Sequence, residues 1–269
     1  MKTLITAIAF AGLASASANF VDDLSISGSF DYETEYVFRG HDLSDHSFQP
    51  GVEFGYGLLG GDLYTGVWSS HEISNTDDVN TEVDFYIGYA YDLTEFSLCD
   101  QTVSIPVTLD VGFTYYMFPD SVLVDRSREV YVGVSLDSLL NPALYYYYDF
   151  DKEQSVLELS VGHSVDLSEF IPVDSSLELG AYWGFVDADD VAAGQGGVDV
   201  ANGYSYAGVS ADVVYPLSQT ASASIGVRWA INNDGDSSPV PAAAASSLSG
   251  TTNSAEDTLW FGTTLSFAK

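Results

Sequence analysis

The stretch Ser25-Ile-Ser-Gly-Ser-Phe-Asp-Tyr-Glu-Thr-Glu-Tyr-Val-Phe-Arg-Gly40 alternates between two kinds of side chain. One parity is apolar and aromatic, and the other is polar and carries Asp31, Glu33, Glu35 and Arg39. A period of two indicates a β-strand with one apolar face and one hydrated face. Because a packed protein core does not hold unpartnered carboxylates at this density, we expect the aromatic face to meet an apolar medium and the acidic face to meet water.

The same alternation recurs about twelve times along the chain, each time over the roughly 9 to 11 residues that a membrane-spanning strand requires. The clearest repeats are 81–92, 102–117, 128–136, 177–185 and 258–267. At Pro106 we expect a bulge or an early strand end, because proline removes a donor from the ladder. The predicted fold is all-β: a transmembrane, antiparallel, up-and-down β-barrel of about 12 strands, in which the first strand pairs with the last because a barrel has no free edges.

The connections between these strands alternate in length. Brief links are predicted at 58–62, 138–142 and 216–220, and long ones at 39–48, 70–80, 119–127, 186–203 and 232–256. Short turns on one side and long loops on the other are typical of outer-membrane barrels, in which the short turns are periplasmic.

A soluble β-sandwich is the structural alternative, since it also has alternating strands, but its apolar faces point inward. In a barrel the apolar parity faces lipid, with aromatic residues near the strand ends. This interpretation places the following side chains in aromatic girdles: Tyr36, Phe38, Tyr89, Tyr91, Tyr115, Trp183, Phe185, Tyr215, Trp229 and Phe267.

The start of the chain has the pattern of an export signal. A lysine, an apolar run and a small-x-small site predict a cleaved signal peptide at residues 1–18 and a barrel over residues 19–269, located in the bacterial outer membrane. Cys99 is the single cysteine, so no intrachain disulfide can form. The formal net charge of −32 argues against a nucleic-acid partner and favours cations.

Several short segments carry a family resemblance. Residues 35–40 (Glu-Tyr-Val-Phe-Arg-Gly), 66–70 (Gly-Val-Trp-Ser-Ser) and 82–89 (Glu-Val-Asp-Phe-Tyr-Ile-Gly-Tyr) resemble the first strands of the TorF family of porin-like proteins. The resemblance covers about residues 30 to 92 and implies an exported outer-membrane barrel with a pore. It supplies no functional residues to carry over.

The acidic parity is the main functional signal. If this parity lines the lumen, the pore-lining residues are Asp31, Glu33, Glu35, Arg39, Glu53, Glu82, Asp84, Asp110, Glu129, Glu158, Glu178, Asp212 and Arg228. A lumen with one sign of charge selects counter-ions, so an open pore would prefer cations. The alternative is a closed interior in which these carboxylates pair with the two arginines. Arg39 is then either a constriction residue or a structural clamp that bridges carboxylates.

Other functions have weaker signals, and the predicted partners are outer-membrane lipid, the barrel-assembly machinery and small cations or polar solutes. The acidic loops at 187–199 and 232–236 lack the ligand spacing of a calcium loop, so we expect no metal site and no cofactor. A lipid-modifying enzyme would need a nucleophile beside a base. His163 is the only strand histidine, with Ser160 and Ser164 on the opposite parity, whereas His41, His46 and His71 are predicted in outer loops. We therefore expect no catalysis; a structural or adhesive barrel is the other alternative.

Overall fold

The computed structural model of the chain describes residues 24–74, 81–93, 96–98, 101–103, 106–120, 126–168, 170, 172–188, 203–233 and 257–269. Within these ranges there is no helix long and apolar enough to cross a bilayer. The predicted signal peptide, Cys99 and most of the two longest predicted loops lie outside the described residues.

The described residues form fourteen strands, and twelve of them close into one antiparallel barrel. The strands are β1 Leu24–Phe38, β2 His41–Leu58, β3 Gly61–Glu72, β4 Thr81–Asp92, β5 Phe96–Leu98, β6 Gln101–Val103, β7 Val107–Met117, β8 Arg126–Leu136, β9 Ala143–Asp149, β10 Gln154–Asp166, β11 Ser176–Ala188, β12 Tyr204–Pro216, β13 Ala221–Asn232 and β14 Asp257–Ala268. Sequence neighbours pair around the wall, and β5 and β6 form a separate hairpin between β4 and β7. The predicted all-β, up-and-down barrel of about 12 strands is confirmed, and β7 begins directly after Pro106.

The first and last strands close the barrel as expected. β1 pairs with β14 from Ser27 opposite Ala268 to Glu33 opposite Gly262. Closure leaves no unpaired strand edge in the wall, which is the condition for a sheet to sit in hydrocarbon. We call the end of the barrel where β1 begins and β14 ends the terminal end, and the other end the distal end.

The apolar side chains of the strands face outward, and the polar ones face inward. Ile225 is 62 % exposed and Leu259 is 60 % exposed, whereas Glu129 is 1 % exposed. In a soluble protein the apolar side chains are inside and most carboxylates are outside, so this distribution is the reverse. A soluble β-sandwich is therefore excluded, because the sheet is closed and its apolar face is outside.

The segment predicted as a long loop at 39–48 is instead strand. β1 and β2 are joined by the two-residue turn Arg39–Gly40, in which both residues have positive φ (50° and 81°), as type I′ hairpin turns require. The polar composition of this segment suggested a loop. In a barrel with a polar interior, however, buried residues such as Ser44 and Ser47 suit the inner face of a strand. His41 and His46 consequently lie in β2, and His71 lies in β3, instead of in loops.

Two aromatic residues that were predicted to face lipid lie inside the barrel. The β1–β2 register shifts directly beside these residues, between Tyr36 and Val37, so the regular alternation of the strand does not extend to this end of the hairpin. Tyr36 donates a hydrogen bond of 2.9 Å to Glu82 and packs on the interior Trp68. The ring of Phe38 packs against the buried Tyr116. The lipid-facing prediction for Tyr36 and Phe38 is therefore wrong.

Interior tyrosines lie across glycines of the neighbouring strand. Six such pairs stand directly opposite one another in the ladder: Tyr64–Gly88, Tyr86–Gly66, Tyr131–Gly112, Tyr145–Gly133, Tyr182–Gly208 and Tyr206–Gly184. A Cβ at any of these glycines would overlap the opposing tyrosine ring. The glycines thus leave room for rings to lie flat along the inner wall, an arrangement known to stabilise glycine-containing strands.

Replacing Gly133 with alanine is expected to destabilise the barrel by about 1–3 kcal/mol, because the new methyl group would displace the ring of Tyr145 in a filled interior. Gly57 is a matched control, since a Cβ there has only the Asp62 carboxylate within reach, at 3.9 Å. Urea unfolding of both variants in phospholipid vesicles measures the difference. Equal stability of Gly133→Ala and Gly57→Ala would contradict the packing role.

Candidate functional site in the barrel interior

All thirteen side chains predicted to line the lumen lie on the interior side of the wall. Eight of them border one cavity: Asp31, Glu33, Glu35, Arg39, Glu158, Glu178, Asp212 and Arg228. Glu82, Asp84 and Glu129 are buried inside the wall, and Glu53 and Asp110 accept hydrogen bonds from interior tyrosines. For the residues within strands, the two-residue period of the extended backbone explains this position, since residues two apart share a face.

The tip of the β1–β2 hairpin folds into the barrel at the distal end. Arg39 forms a 2.7 Å ion pair with Glu129 on β8, and three strands of the wall lie between β2 and β8. The amide of Asn232 on β13 donates a 2.6 Å hydrogen bond to the carbonyl of Gly40. The ring of His41 meets that of Tyr204 on β12 at 4.9 Å between centroids. The tip therefore contacts three distant strands and occupies part of the interior.

Arg39 is held by charge and by aromatic faces. Its guanidinium lies 4.7 Å from the ring centroid of Phe38 and 5.2 Å from that of Tyr147. Such distances allow cation–π attraction. The second oxygen of Glu129 accepts a 2.9 Å hydrogen bond from Tyr116. Both oxygens of this buried carboxylate are thus satisfied, and Arg39 acts as a clamp across the interior.

The second interior arginine, Arg228, bridges two carboxylates. Its Nη2 lies 2.9 Å from Asp212 on the neighbouring strand and 3.4 Å from Glu33 on β1. The group ties β12, β13 and β1 together on the inner surface. Because a guanidinium stays protonated at all accessible pH values, it offsets one of the two carboxylate charges.

Most other interior carboxylates accept hydrogen bonds from hydroxyl groups. Tyr206 donates to Glu158 at 2.6 Å, and Tyr64 and Tyr145 both donate to Asp110, at 2.7 and 3.0 Å. Glu178 accepts from Ser164 and Ser176. Hydroxyl donors stabilise a carboxylate without cancelling its charge. The interior therefore has more negative than positive side chains that face it.

A cavity of about 480 Å³ lies between β1 and the strands β10 to β14. Its lining combines carboxylates with the aromatic residues Tyr182, Tyr206 and Trp260. On the other side of the barrel, the rings of Tyr64, Tyr86, Tyr131 and Tyr145 cover the inner wall, each lying against a glycine of the next strand. This cavity is consequently off-centre, towards β11 and β12.

Three carboxylates meet beside the hairpin tip. The oxygens of Glu35, Asp42 and Asp45 lie within 4.8 Å of one another. Carboxylate oxygens are the ligands that Ca²⁺ and Mg²⁺ prefer, so these are the described residues best arranged to hold a metal ion. The acidic loops at 189–199 and 234–236 lie outside the described residues.

The wall separates His163 from Ser160 and Ser164, whereas Nε2 of His71 lies 3.1 Å from Oγ of Ser69 on β3. Nδ1 of His163 lies 2.8 Å from the carbonyl oxygen of Leu139 at the terminal end. Ser164 instead donates its hydroxyl to the interior Glu178. A catalytic pair requires nucleophile and base within hydrogen-bond reach, and His163 forms no such pair with Ser160 or Ser164.

The distal turn between β9 and β10 carries an exposed ion pair. Arg128 donates two hydrogen bonds to Asp151, at 2.8 and 2.9 Å. These bonds and the arginine charge hold the pKa of the Asp151 carboxyl below its ordinary value. Exposed pairs of this kind contribute little to stability, which makes Arg128 and Asp151 useful comparison positions for the buried pair Arg39–Glu129.

The family of the chain is shown by a sequence model. Residues 18–157 match the model of the family described as a bacterial protein of unknown function, Gcw_chp. The chain belongs to this family. The TorF name remains a resemblance of the first strands, and no curated protein sequence matches the chain.

Solved structures with a similar architecture share little sequence with this Gcw_chp protein. The NanC porin is 13 % identical, with a TM-score of 0.45, over 91 % of this chain and 98 % of the porin. LpxR from Salmonella typhimurium is 9 % identical, with a TM-score of 0.47, over 91 % and 99 %. An anion-selective porin from Comamonas acidovorans is 11 % identical, with a TM-score of 0.35, over 91 % and 98 %.

Proposed function

We propose that this protein is an outer-membrane channel that passes small solutes or ions and prefers cations. The observation that carries the proposal is the closed barrel with apolar residues outside and carboxylates inside. Side chains such as Phe30, Ile87 and Val111 are about half exposed, and lipid is the solvent that suits them. No catalytic step is assigned to the chain.

The long connections orient the barrel. The links at the distal end include residues 189–203 and 233–256, whereas the terminal end has the short turns Leu59–Gly60 and 217–220. Long loops are extracellular and short turns periplasmic in outer-membrane barrels. The terminal end is therefore periplasmic, and the hairpin tip with Arg39 lies towards the cell exterior.

The charge inside the barrel supports a cation preference. Eleven predicted lumen carboxylates face two arginines, and each arginine is already paired with a carboxylate. Low-dielectric walls strengthen the field of such a charge excess, which raises the local cation concentration and excludes anions. A reversal potential of cationic sign across a planar bilayer, with KCl at different concentrations on the two sides, would support the proposal.

Neutralising three interior carboxylates should reduce this selectivity. The variant Asp31→Asn, Glu35→Gln, Asp84→Asn removes three negative charges from the barrel interior, and we expect the reversal potential to move towards zero. The control Asp120→Asn, Asp151→Asn, Glu153→Gln removes three charges from exposed distal turns and should change it little at high salt, because exposed charges are screened. An equal effect of both variants would refute a selective interior.

A closed structural or adhesive barrel is the second candidate, and the hairpin tip favours it. Arg39 and Gly40 occupy part of the interior and contact β8 and β13. If correctly folded protein shows no conductance in planar bilayers, the channel proposal fails and the closed barrel replaces it. Heat-modified gel mobility and circular dichroism report correct folding before the measurement.

A further inference from the structure

The interior cavity is arranged in two tiers. On β11, Glu178 lies nearer the terminal end than Tyr182, and on the antiparallel β12, Asp212 lies nearer that end than Tyr206. On β1, Asp31 likewise precedes Tyr36 on the way to the hairpin tip. All six residues border the cavity. Three carboxylates therefore form a tier on its terminal side, and three aromatic rings form a tier on its distal side, where Arg39 and Glu158 also lie.

Two features of this cavity point to a bound molecule larger than an inorganic ion. Its volume of about 480 Å³ lies within the range of small-molecule pockets, roughly 300–1,000 Å³. Glu33, which borders it, is nine-tenths buried, and its Oε2 has no hydrogen-bond partner among the described residues. A buried carboxylate oxygen without a partner is costly, and a donor on a ligand would satisfy it.

From this arrangement we infer that the cavity binds small organic cations: an ammonium group carrying an apolar or aromatic body. The ammonium would lie among Asp31, Glu33, Glu178 and Asp212 and donate a hydrogen bond to Oε2 of Glu33. The combined charge of these carboxylates exceeds that of Arg228. The body would contact the rings of Tyr182, Tyr206 and Trp260, since aromatic faces attract cations and apolar groups together. An anion of the same shape meets repulsion from the carboxylate tier.

This inference deepens the proposed channel function by naming the class of solute, and it can be tested apart from conduction. The probe is benzylammonium, whose N–H groups can donate to Oε2 of Glu33, titrated calorimetrically into the full-length barrel in a non-ionic detergent. Benzenesulfonate and potassium chloride are the comparison solutes. We expect saturable binding of benzylammonium and none of benzenesulfonate. Equal binding of both would overturn the inference, because partition into the apolar surface or micelle would explain it.

Two variants distinguish binding by the carboxylate tier from a general electrostatic attraction to the acidic interior. Asp31→Asn with Glu178→Gln removes two charges of the cavity at constant volume and should weaken binding at least about tenfold, as the loss of a favourable charge interaction predicts. Glu53→Gln removes an interior charge that accepts its hydrogen bond from Tyr86 and does not border the cavity, and should leave affinity within about twofold. Unchanged affinity in the double variant would overturn the inference.

Conductance of the same preparation distinguishes the two proposals. If the barrel conducts KCl but does not bind benzylammonium, the organic-cation site is wrong and the channel stands. If it binds the probe but conducts nothing, the channel proposal fails and the protein is a binding barrel. Reversible reduction of the KCl current by the probe is the expected result when both hold.

Discussion

Replacing Arg39 with alanine is expected to raise the single-channel conductance several-fold. The guanidinium spans the interior from the hairpin tip to Glu129 on β8, so it narrows the path at the distal end. Conductance depends steeply on the narrowest cross-section and on charges placed there. Removing the cation also leaves the carboxylates without their distal counter-charge, so cation selectivity should rise with conductance. Single-channel recording in planar bilayers measures both quantities.

Arg128→Ala is the control for this experiment. Arg128 lies near the distal end but is half exposed, and it pairs with Asp151 on a turn. Its removal should leave conductance unchanged. The Arg39→Ala barrel is expected to fold, because Glu129 keeps its hydrogen bond from Tyr116. Conductance equal to that of the unmodified protein would mean that Arg39 does not lie on the conduction path.

Replacing Glu129 with leucine is expected to lower the free energy of unfolding by about 3–5 kcal/mol, the usual cost of leaving a buried charge without its partner. The side chain of Arg39 is 5 % exposed and that of Glu129 is 2 % exposed, so water cannot replace the lost partner. Unlike a carboxylate, a guanidinium cannot shed its charge by releasing a proton. Urea unfolding in phospholipid vesicles, followed by tryptophan fluorescence, measures the loss.

The double variant Arg39→Met, Glu129→Leu should recover most of this stability, since a buried ion pair and an apolar pair of similar volume are often nearly equivalent. Asp151→Asn breaks the exposed pair with Arg128 and is expected to cost less than about 1 kcal/mol. A double variant as unstable as Glu129→Leu alone would show that the loss arises from side-chain packing instead of from the unpaired charge.

The two experiments together distinguish two roles of the Arg39–Glu129 ion pair, which are occupying the lumen and stabilising the wall. If Arg39→Ala raises conductance while the double variant keeps wild-type stability, the ion pair serves to occupy the lumen more than to hold the wall together. The wall has its own support from the twelve-strand ladder and from the tyrosine–glycine pairs. The hairpin tip would then be the part of the barrel that sets its permeability.

The alternation of apolar and polar residues was sufficient to predict much of this fold. The alternation in β4, β7 and β8 predicts which side each residue faces, and the structure agrees for Asp84, Asp110 and Glu129. Period two is a property of the extended backbone itself. The prediction failed at the distal end of the first hairpin. Tyr36 lies inside, next to the β1–β2 register shift, and the polar residues 41–48 form a strand where their composition predicted a loop.

The tyrosines of the interior were visible in the sequence, but their role was not. Tyr86, Tyr131 and Tyr182 were on the polar parity, and glycines occupied the same parity on adjacent strands. Only the register shows that each ring lies opposite a glycine. Register depends on where each strand enters the sheet, which loop length and composition leave undetermined. The sequence does contain a signal for this pairing, because the tyrosines lie on the same polar parity as the glycines of the adjacent strands.

The sequence by itself determined that the chain forms a closed barrel with an apolar exterior and an acidic interior, because strand periodicity and the absence of free edges are local and general constraints. It did not determine that Arg39 reaches Glu129, 90 positions away, or that a cavity lies beside β11 and β12. Contacts across a lumen depend on strand register, shear and the inward fold of the hairpin tip. Those quantities belong to the assembled barrel and cannot be derived from the pattern of any single strand.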